Sequence, residues 1–305
     1  MPTMPMVPPG PTTGPMSPTA DGLVVVDKPS GLTSHDVVAR VRRLAGTRRV
    51  GHAGTLDPMA TGVLVVGVNR ATRLLGHLTL TEKAYDASIR LGVATVTDDA
   101  EGDVVATVAA DRVSDDAVLA GVAALTGDIE QVPSSVSAVK VDGQRSYKRV
   151  RAGEDVELAA RRVTVSDFSV RAIRRAPGVV DVDVSVTCSS GTYVRALARD
   201  LGKGLGVGGH LTMLRRTRVG PYGLDAAHTL DELADDFVLM PIAAAARAAF
   251  PTRDVDAAAA TTVSHGGALP AAGVTGPVAV FAPDGRFLAL VEDRGDTTKA
   301  VAVFV

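Results

Sequence analysis

Gly51-His52-Ala53-Gly54-Thr55-Leu56-Asp57-Pro58-Met59-Ala60-Thr61-Gly62, running straight into Val63-Leu64-Val65-Val66-Gly67-Val68, is the stretch from which the rest of this chain can be read. Three glycines, a proline and small side chains surround one carboxylate, Asp57. Such a segment predicts a tight backbone feature set directly before a buried strand, and chemistry is expected there. An ordinary strand connection in which Asp57 caps a turn would use the same residues, and Asp-Pro by itself favours that account. The choice therefore rests on what surrounds the loop.

Upstream, residues 1–20 hold Pro, Thr, Gly and Met without a charge before Asp21, so they cannot bury a core face and are expected to form a disordered leader. The fold is expected to begin at Gly22 with the strand Leu23-Val24-Val25-Val26, followed by a turn at Asp27-Lys28-Pro29-Ser30-Gly31. A helix follows. Ser34 suits its N-cap, Val37, Val38, Val41, Leu44 and Ala45 fall at helical spacing, and Gly46 stops it. Arg40, Arg42, Arg43, Arg48 and Arg49 decorate this helix and its exit, and a solvated face is the plain account of them.

Downstream, Asn69 to Leu78 predicts a short helix and Lys83 to Leu91 an alternating strand carrying Tyr85. Asp98-Asp99-Ala100-Glu101-Gly102-Asp103 reads as an acidic turn whose spacing misses the calcium-loop pattern. Ser114-Asp115-Asp116 opens a helix, with acids in the turn where the dipole favours them. Between 140 and 162 seven basic residues, among them Arg145, Lys148 and Arg149, face four acidic ones on a stretch with little core-forming power. That combination fits a protruding, phosphate-contacting insertion. Val180, Val182, Val184, Val186 and Cys188 alternate with polar residues, which predicts a half-buried strand with an inert thiol on its apolar side. Ser189-Ser190-Gly191-Thr192 then turns into a helix with Tyr193 and Arg195 beside its free amides. Gly204, Gly206 and Gly209 match G-x-G-x-x-G in form but follow a helix instead of a strand, which removes a dinucleotide site. Leu211 to Val219 is a second arginine cluster, and short β-rich runs near the end predict a small barrel-like appendage over 250–305.

The totals narrow the class. With 305 residues, 46% of them hydrophobic, the chain can bury one large domain and a small second one. No apolar run reaches membrane length and no secretory signal opens the chain, so a cytoplasmic location is expected. One cysteine excludes an internal disulfide and a thiolate zinc cage, and six scattered histidines lack ligand spacing, so no metal is expected. A net charge of −2 argues against indiscriminate coating of nucleic acid, yet arginine outnumbers lysine 26 to 6, and its planar fork suits phosphate.

Taken in order, these motifs resemble the TruB family of tRNA pseudouridine synthases. Gly51 to Leu64 resembles its catalytic motif, Asp27-Lys28-Pro29-Ser30-Gly31 its Lys-Pro motif, and Lys83-Ala84-Tyr85 the strand with its tyrosine. Pro133-Ser134 through Ser137-Ala138-Val139-Lys140 is similar to the base of its mobile thumb. Gly191-Thr192-Tyr193-Val194-Arg195 is similar to its active-site arginine motif, and Leu214-Arg215-Arg216 with a tail like a reduced PUA domain completes the series. The resemblance implies an α+β fold with a mixed, mostly antiparallel central sheet flanked by helices. It implies a catalytic domain at 21–249, a thumb-like insertion at about 131–162 and a small β-rich PUA-like RNA-binding domain at 250–305. It further implies isomerisation of uridine to pseudouridine at position 55 in the T-loop of tRNA, by base flipping, with no cofactor or metal. The expected partner is the T-arm stem-loop, with no membrane, and the expected state a monomer.

The chemistry is compatible, because Asp57 is ionised at neutral pH and can serve as nucleophile or as base. By the resemblance Arg195 is its counter-ion, Tyr85 stacks on the extruded uracil, and Tyr193, His52, Leu214 and Lys28 surround the substrate, Lys28 and Pro29 also supporting the loop. Arg145, Lys148, Arg149, Arg215 and Arg216 are expected on RNA phosphates. A non-catalytic tRNA-binding or chaperone module would use the same basic residues, and Asp57 alone separates the two. A small-molecule transferase with a phosphate site near Tyr193 is disfavoured, since no Gly-rich cradle follows a strand there.

Overall fold

The structure is a computed structural model that describes residues 20–134, 140–141, 144–145 and 158–305. Almost all of the expected leader and most of the thumb-like insertion, including Lys148 and Arg149, lie outside the described residues.

The first half of the fold is built on two strands that are apolar at nearly every position, β1 (Gly22–Lys28) and β3 (Thr61–Val68), paired antiparallel from Gly22 opposite Val68 to Lys28 opposite Gly62. Continuous apolar runs of this kind are needed where both faces of a sheet are covered. Val24, Val26, Leu64 and Val66 pack under helix α1 (Ser34–Leu44) through its Val37, Val38 and Val41, whereas Leu23, Val25, Val63 and Val65 face the C-terminal part of the chain. Thr33, one residue before the expected Ser34, is the N-cap of α1 and forms a capping box with Asp36. The stretch from Gly51 is not all loop. Val50–Ala53 forms β2, paired with β3 from Val50 opposite Val68 to Ala53 opposite Val65, so the loop proper shortens to 54–60. Helix α2 (Leu75–Thr79) follows β3.

The second half alternates. Strand β4 (Lys83–Leu91) leads through a small hairpin, β5 (Val93–Thr95) and β6 (Val104–Thr107), to α3 (Asp115–Ala124) and β7 (Gly127–Gln131). Past the two short strands β8 (Lys140–Val141) and β9 (Gln144–Arg145) come β10 (Arg161–Ala176) and β11 (Val179–Cys188). One face of β11 packs on α3 and on α4 (Val194–Gly204), and the other is wet and carries pairs such as Arg90 with Asp181. That one-sided burial is why its sequence reads with period two. Strand β12 (Gly209–Val219) joins the halves: it runs antiparallel to β4 and meets β3 in a short parallel contact, Arg215 opposite Thr61 and Arg216 opposite Gly62. The result is a ten-stranded, mostly antiparallel sheet flanked by helices, the α+β architecture expected.

The short strands β13 (Tyr222–Gly223) and β14 (Met240–Pro241) complete the large sheet, and after α5 (Leu230–Asp235) and α6 (Ile242–Ala249) a second sheet of four strands follows, β15 (Thr252–Asp254), β16 (Val278–Phe281), β17 (Phe287–Arg294) and β18 (Thr297–Val303), with α7 (Ala257–Ser264) across it. Between the two sheets, Phe281, Phe287 and Phe304 share a cluster with Leu23, Val63 and Tyr222. Arg70 and Arg73 donate to the carbonyls of Phe304 and Val303, pinning the chain's end to the larger sheet. Among the described residues no helix is long and apolar enough to cross a membrane.

Candidate active site

The loop between β2 and β3 is held from two sides. Below it, Lys28 Nζ donates to the carbonyls of Pro29 and Pro58 at 2.9 and 3.2 Å, and the Gly31 amide donates to Pro58 at 2.8 Å. Ser34 accepts from the Leu56 amide at 2.9 Å and donates to the Leu56 carbonyl at 3.1 Å. From the opposite side Arg216 donates through Nε to the Val63 carbonyl at 2.7 Å and through Nη2 to the Gly54 carbonyl at 3.0 Å. Carbonyls that a tight loop cannot satisfy internally are thereby satisfied by fixed donors, which makes the loop rigid. Burial brings the Lys28 ammonium down to about 8, with the nearby Asp57 charge opposing.

Asp57 projects from this loop towards α4. Arg195, in the first turn of that helix, places Nε 3.1 Å from Asp57 Oδ2 and Nη1 3.1 Å from Asp99 Oδ2, and Nη1 also donates to the Thr97 carbonyl at 3.1 Å. Asp99 is buried and accepts from the Thr97 hydroxyl and, at 3.1 Å, from the Glu101 amide. One guanidinium thus spans two carboxylates and is fixed in direction by both. Burial raises the pKa of Asp57, Arg195 works against the rise, and the like charge of Asp99 adds to it.

Beside the pair opens a cavity of about 310 Å³, lined by Leu56, Asp57, Lys83, Tyr85, Tyr193, Arg195, Leu214 and Arg216 with the small residues of the 190–192 turn. Strand β4 sends Tyr85 and Lys83 into it because they sit two residues apart on one face. Burial pushes the Tyr85 phenol up, with the Arg216 charge opposing. Burial, reinforced by the Arg216 charge, brings Lys83 down to about 8, and its ammonium donates to the carbonyls of Thr79 and Thr81 at 2.8 and 2.9 Å. The Gln131 amide clamps Tyr193, accepting from its N–H at 2.8 Å and donating to its carbonyl at 3.1 Å. What results is a carboxylate–guanidinium pair lining a pocket shared with Tyr85, Tyr193 and the basic side chains of Lys83 and Arg216.

The fold brings Asp57, Tyr85, Tyr193, Arg195 and Leu214 together around this cavity. Other expected positions differ. Arg216 is not available to phosphate: it is 1% exposed and braces the loop. Arg215 faces away from the cavity and is paired with Asp27 at 2.7 Å, which offsets its charge. Lys28 is fully buried beneath the loop and does not line the cavity. Nor does His52, which sits on β2 with its ring edge-on to His35, centroids 5.7 Å apart. Burial, with His35 second, keeps His52 below the usual histidine pKa. Arg145 lies in β9, and its side chain is not among the described features. Asp99 was legible only as one acid of a surface turn.

Comparison with known proteins matches residues 42–194 to the TruB family pseudouridylate synthase N-terminal domain, residues 195–245 to the tRNA pseudouridylate synthase B C-terminal domain, and 250–305 to the tRNA pseudouridine synthase II C-terminal domain. The chain is 64% identical over 289 residues to tRNA pseudouridine synthase B of Thermobifida fusca, covering 93% of this chain and 99% of that one. The chain belongs to the TruB family of pseudouridylate synthases.

The TruB-family relative from Streptomyces griseus, also a tRNA pseudouridine synthase B, is 62% identical over 94% of this chain and 98% of its own. Among solved structures, a Cbf5-Nop10-Gar1 complex aligns with TM-score 0.72 and 28% identity over 93% of this chain and 85% of that one. An H/ACA RNP bound to a substrate RNA containing 2'-deoxyuridine aligns with TM-score 0.70 and 26% identity over the same shares. The central sheet described above is thus the scaffold of a pseudouridine synthase.

Proposed function

We propose that this TruB-family chain converts uridine to pseudouridine at position 55 in the T-loop of tRNA, with Asp57 as the carboxylate on which the reaction depends. The observation that carries the reading is the 3.1 Å pairing of Asp57 with Arg195 at the mouth of a cavity walled by Tyr85. Relatives named tRNA pseudouridine synthase B support tRNA as the substrate. The reaction breaks the bond from C1' of the ribose to N1 of uracil, turns the base, and forms a bond from C1' to C5. The proton leaves C5 and N1 ends protonated, so atoms balance with no cofactor. The target base must leave the RNA stack to reach a pocket this deep, and stacking on Tyr85 offsets what it loses. An ionised Asp57 serves whether it attacks the sugar, attacks the base or takes a sugar proton; Arg195 favours the charged carboxylate, and Asp99, although its own charge opposes ionisation, helps hold Arg195 in place to aim it.

Incubating the protein with an unmodified tRNA transcript and mapping pseudouridine chemically tests the assignment; product is expected at position 55, and its absence with folded protein would overturn it. Asp57→Asn is expected to abolish product while leaving tRNA affinity within about a few-fold, since the carboxylate faces the reacting base and is not a phosphate contact. A variant that kept full turnover would remove Asp57 from its role.

A further inference from the structure

Many exposed arginines of the sheets and the tail have acids: Arg90 with Asp181 at 2.8 Å, Arg218 with Glu82 at 2.7 Å, Arg247 with Asp254 at 2.6 Å, Arg286 with Asp284 at 2.6 Å, and Arg174 with Asp183. Among the described residues, single exposed arginines without one occur elsewhere, such as Arg161 and Arg171 of β10. At the C-terminal end of α1 and in the turn to β2 several stand together without one. Arg43, Arg48 and Arg49 are exposed and, among the described residues, make no ion pair or side-chain hydrogen bond; Arg42 gives one N–H to the Val50 carbonyl at 3.0 Å and meets no acid. The helix dipole favours cations in the last turn of α1, by roughly 0.3–1 kcal/mol each. That accounts for Arg42 and Arg43 and not for Arg48 and Arg49, which lie beyond the helix.

The placement of this group relative to Asp57 is fixed. Helix α1 starts at the candidate loop, where Ser34 exchanges two hydrogen bonds with Leu56, and leads away for 11 residues, about 16 Å at 1.5 Å per residue. His35, Ala39, Arg42 and Arg43 follow one another along one side at helical spacing. His35 meets His52 ring to ring, and His52 lies on the strand that returns from Arg48 and Arg49 to the loop. A strip therefore runs from the two histidines beside the loop, past the small side chain of Ala39, to the unpaired guanidinium groups.

We propose that Arg43, Arg48 and Arg49 form a phosphate track that grips the substrate RNA's backbone about 15 Å from Asp57. Because α1 is bonded to the loop, the track holds phosphates at a set distance from the carboxylate. The inference rests on the reading of RNA as substrate, and not on which uridine is modified.

The test is the triple variant Arg43→Gln, Arg48→Gln, Arg49→Gln with an unmodified tRNA transcript. Its Kd is measured across a salt series, and its single-turnover rate is measured at saturating tRNA. The slope of log affinity against log salt is expected to shrink by about 2 to 3, since each lost phosphate contact removes roughly 0.7–0.9. Affinity at low salt should weaken about tenfold or more with the saturating rate unchanged. A control variant, Arg174→Gln with Arg286→Gln, removes charges that already have acids and should leave the slope alone. An unchanged slope in the triple variant, or an equal loss in the control, overturns the proposal. Wild-type protein that binds tRNA with this arginine-dependent slope yet makes no pseudouridine would overturn the catalytic reading and leave the track standing.

Discussion

In the proposed reaction Asp57 acts as a carboxylate, and its surroundings pull on its charge in opposite directions. Burial and the Asp99 charge raise its pKa from the ordinary 3.8, against the pull of Arg195. A raised carboxylate takes up its proton at a higher pH on the way down, so the single-turnover rate is expected to fall on acidification above the range of an exposed aspartate. Asp99→Asn removes the like charge and one of the two acids that aim Arg195. The acid limb should then move to lower pH while the plateau rate drops about tenfold or more, the order of one hydrogen bond to a charged group. A pH–rate profile of both proteins checks this, and an unmoved limb would remove the electrostatic role of Asp99. Asp57 stood out in its Gly-rich loop, while Tyr85 and Arg195 were expected beside it through the resemblance of their motifs to the family's, and the fold brings all three to one cavity. Asp99 was not legible, since its partner lies 96 residues away and nothing local distinguishes it from the other acids of its turn. Four carboxylates in six residues without a nearby cation were the available hint.

At the level of elements, the parallel contact between β3 and β12 decides the shape of the pocket. Gly62 has φ +95°, and a Cβ there would lie 2.1 Å from the Arg216 carbonyl, so no side chain fits without parting the strands. Gly62→Ala is expected to destabilise the protein by about 2–4 kcal/mol and to loosen the loop that Arg216 braces. A lowered urea midpoint together with a lost saturating rate would bear this out; a variant with wild-type stability would not. Counted only as one of a cluster of arginines, Arg216 is expected on phosphate. Strand parity says otherwise: Leu214 and Arg216 are two residues apart and share a face, so a Leu214 on the pocket wall commits Arg216 to the same interior. β2 went unread for a different reason, since Gly51 to Ala53 is too short and too rich in small residues to show a period.

For the whole molecule, the tail is less separate than a run of short strands near the end of the chain suggests. Phe287 packs on Phe281 and Phe304, with ring centroids 5.4 and 4.6 Å away, and all three sit in one cluster with Val63 and Val65 of β3. Phe287→Ala should therefore cost about 3–5 kcal/mol in a single transition and weaken amide-exchange protection in β3 as well as in the tail. Loss of protection confined to the tail would show two independent units. Patterning revealed both sheets, but not that apolar side chains from one complete the other, because pairing between faces leaves no period in either. The seam between β3 and β12 also orders events in time. Arg216 reaches Gly54 across 162 residues, so a ribosome must deliver more than two-thirds of the chain before the loop carrying Asp57 acquires its brace. A nascent chain released earlier would possess the complete catalytic motif and no catalytic pocket.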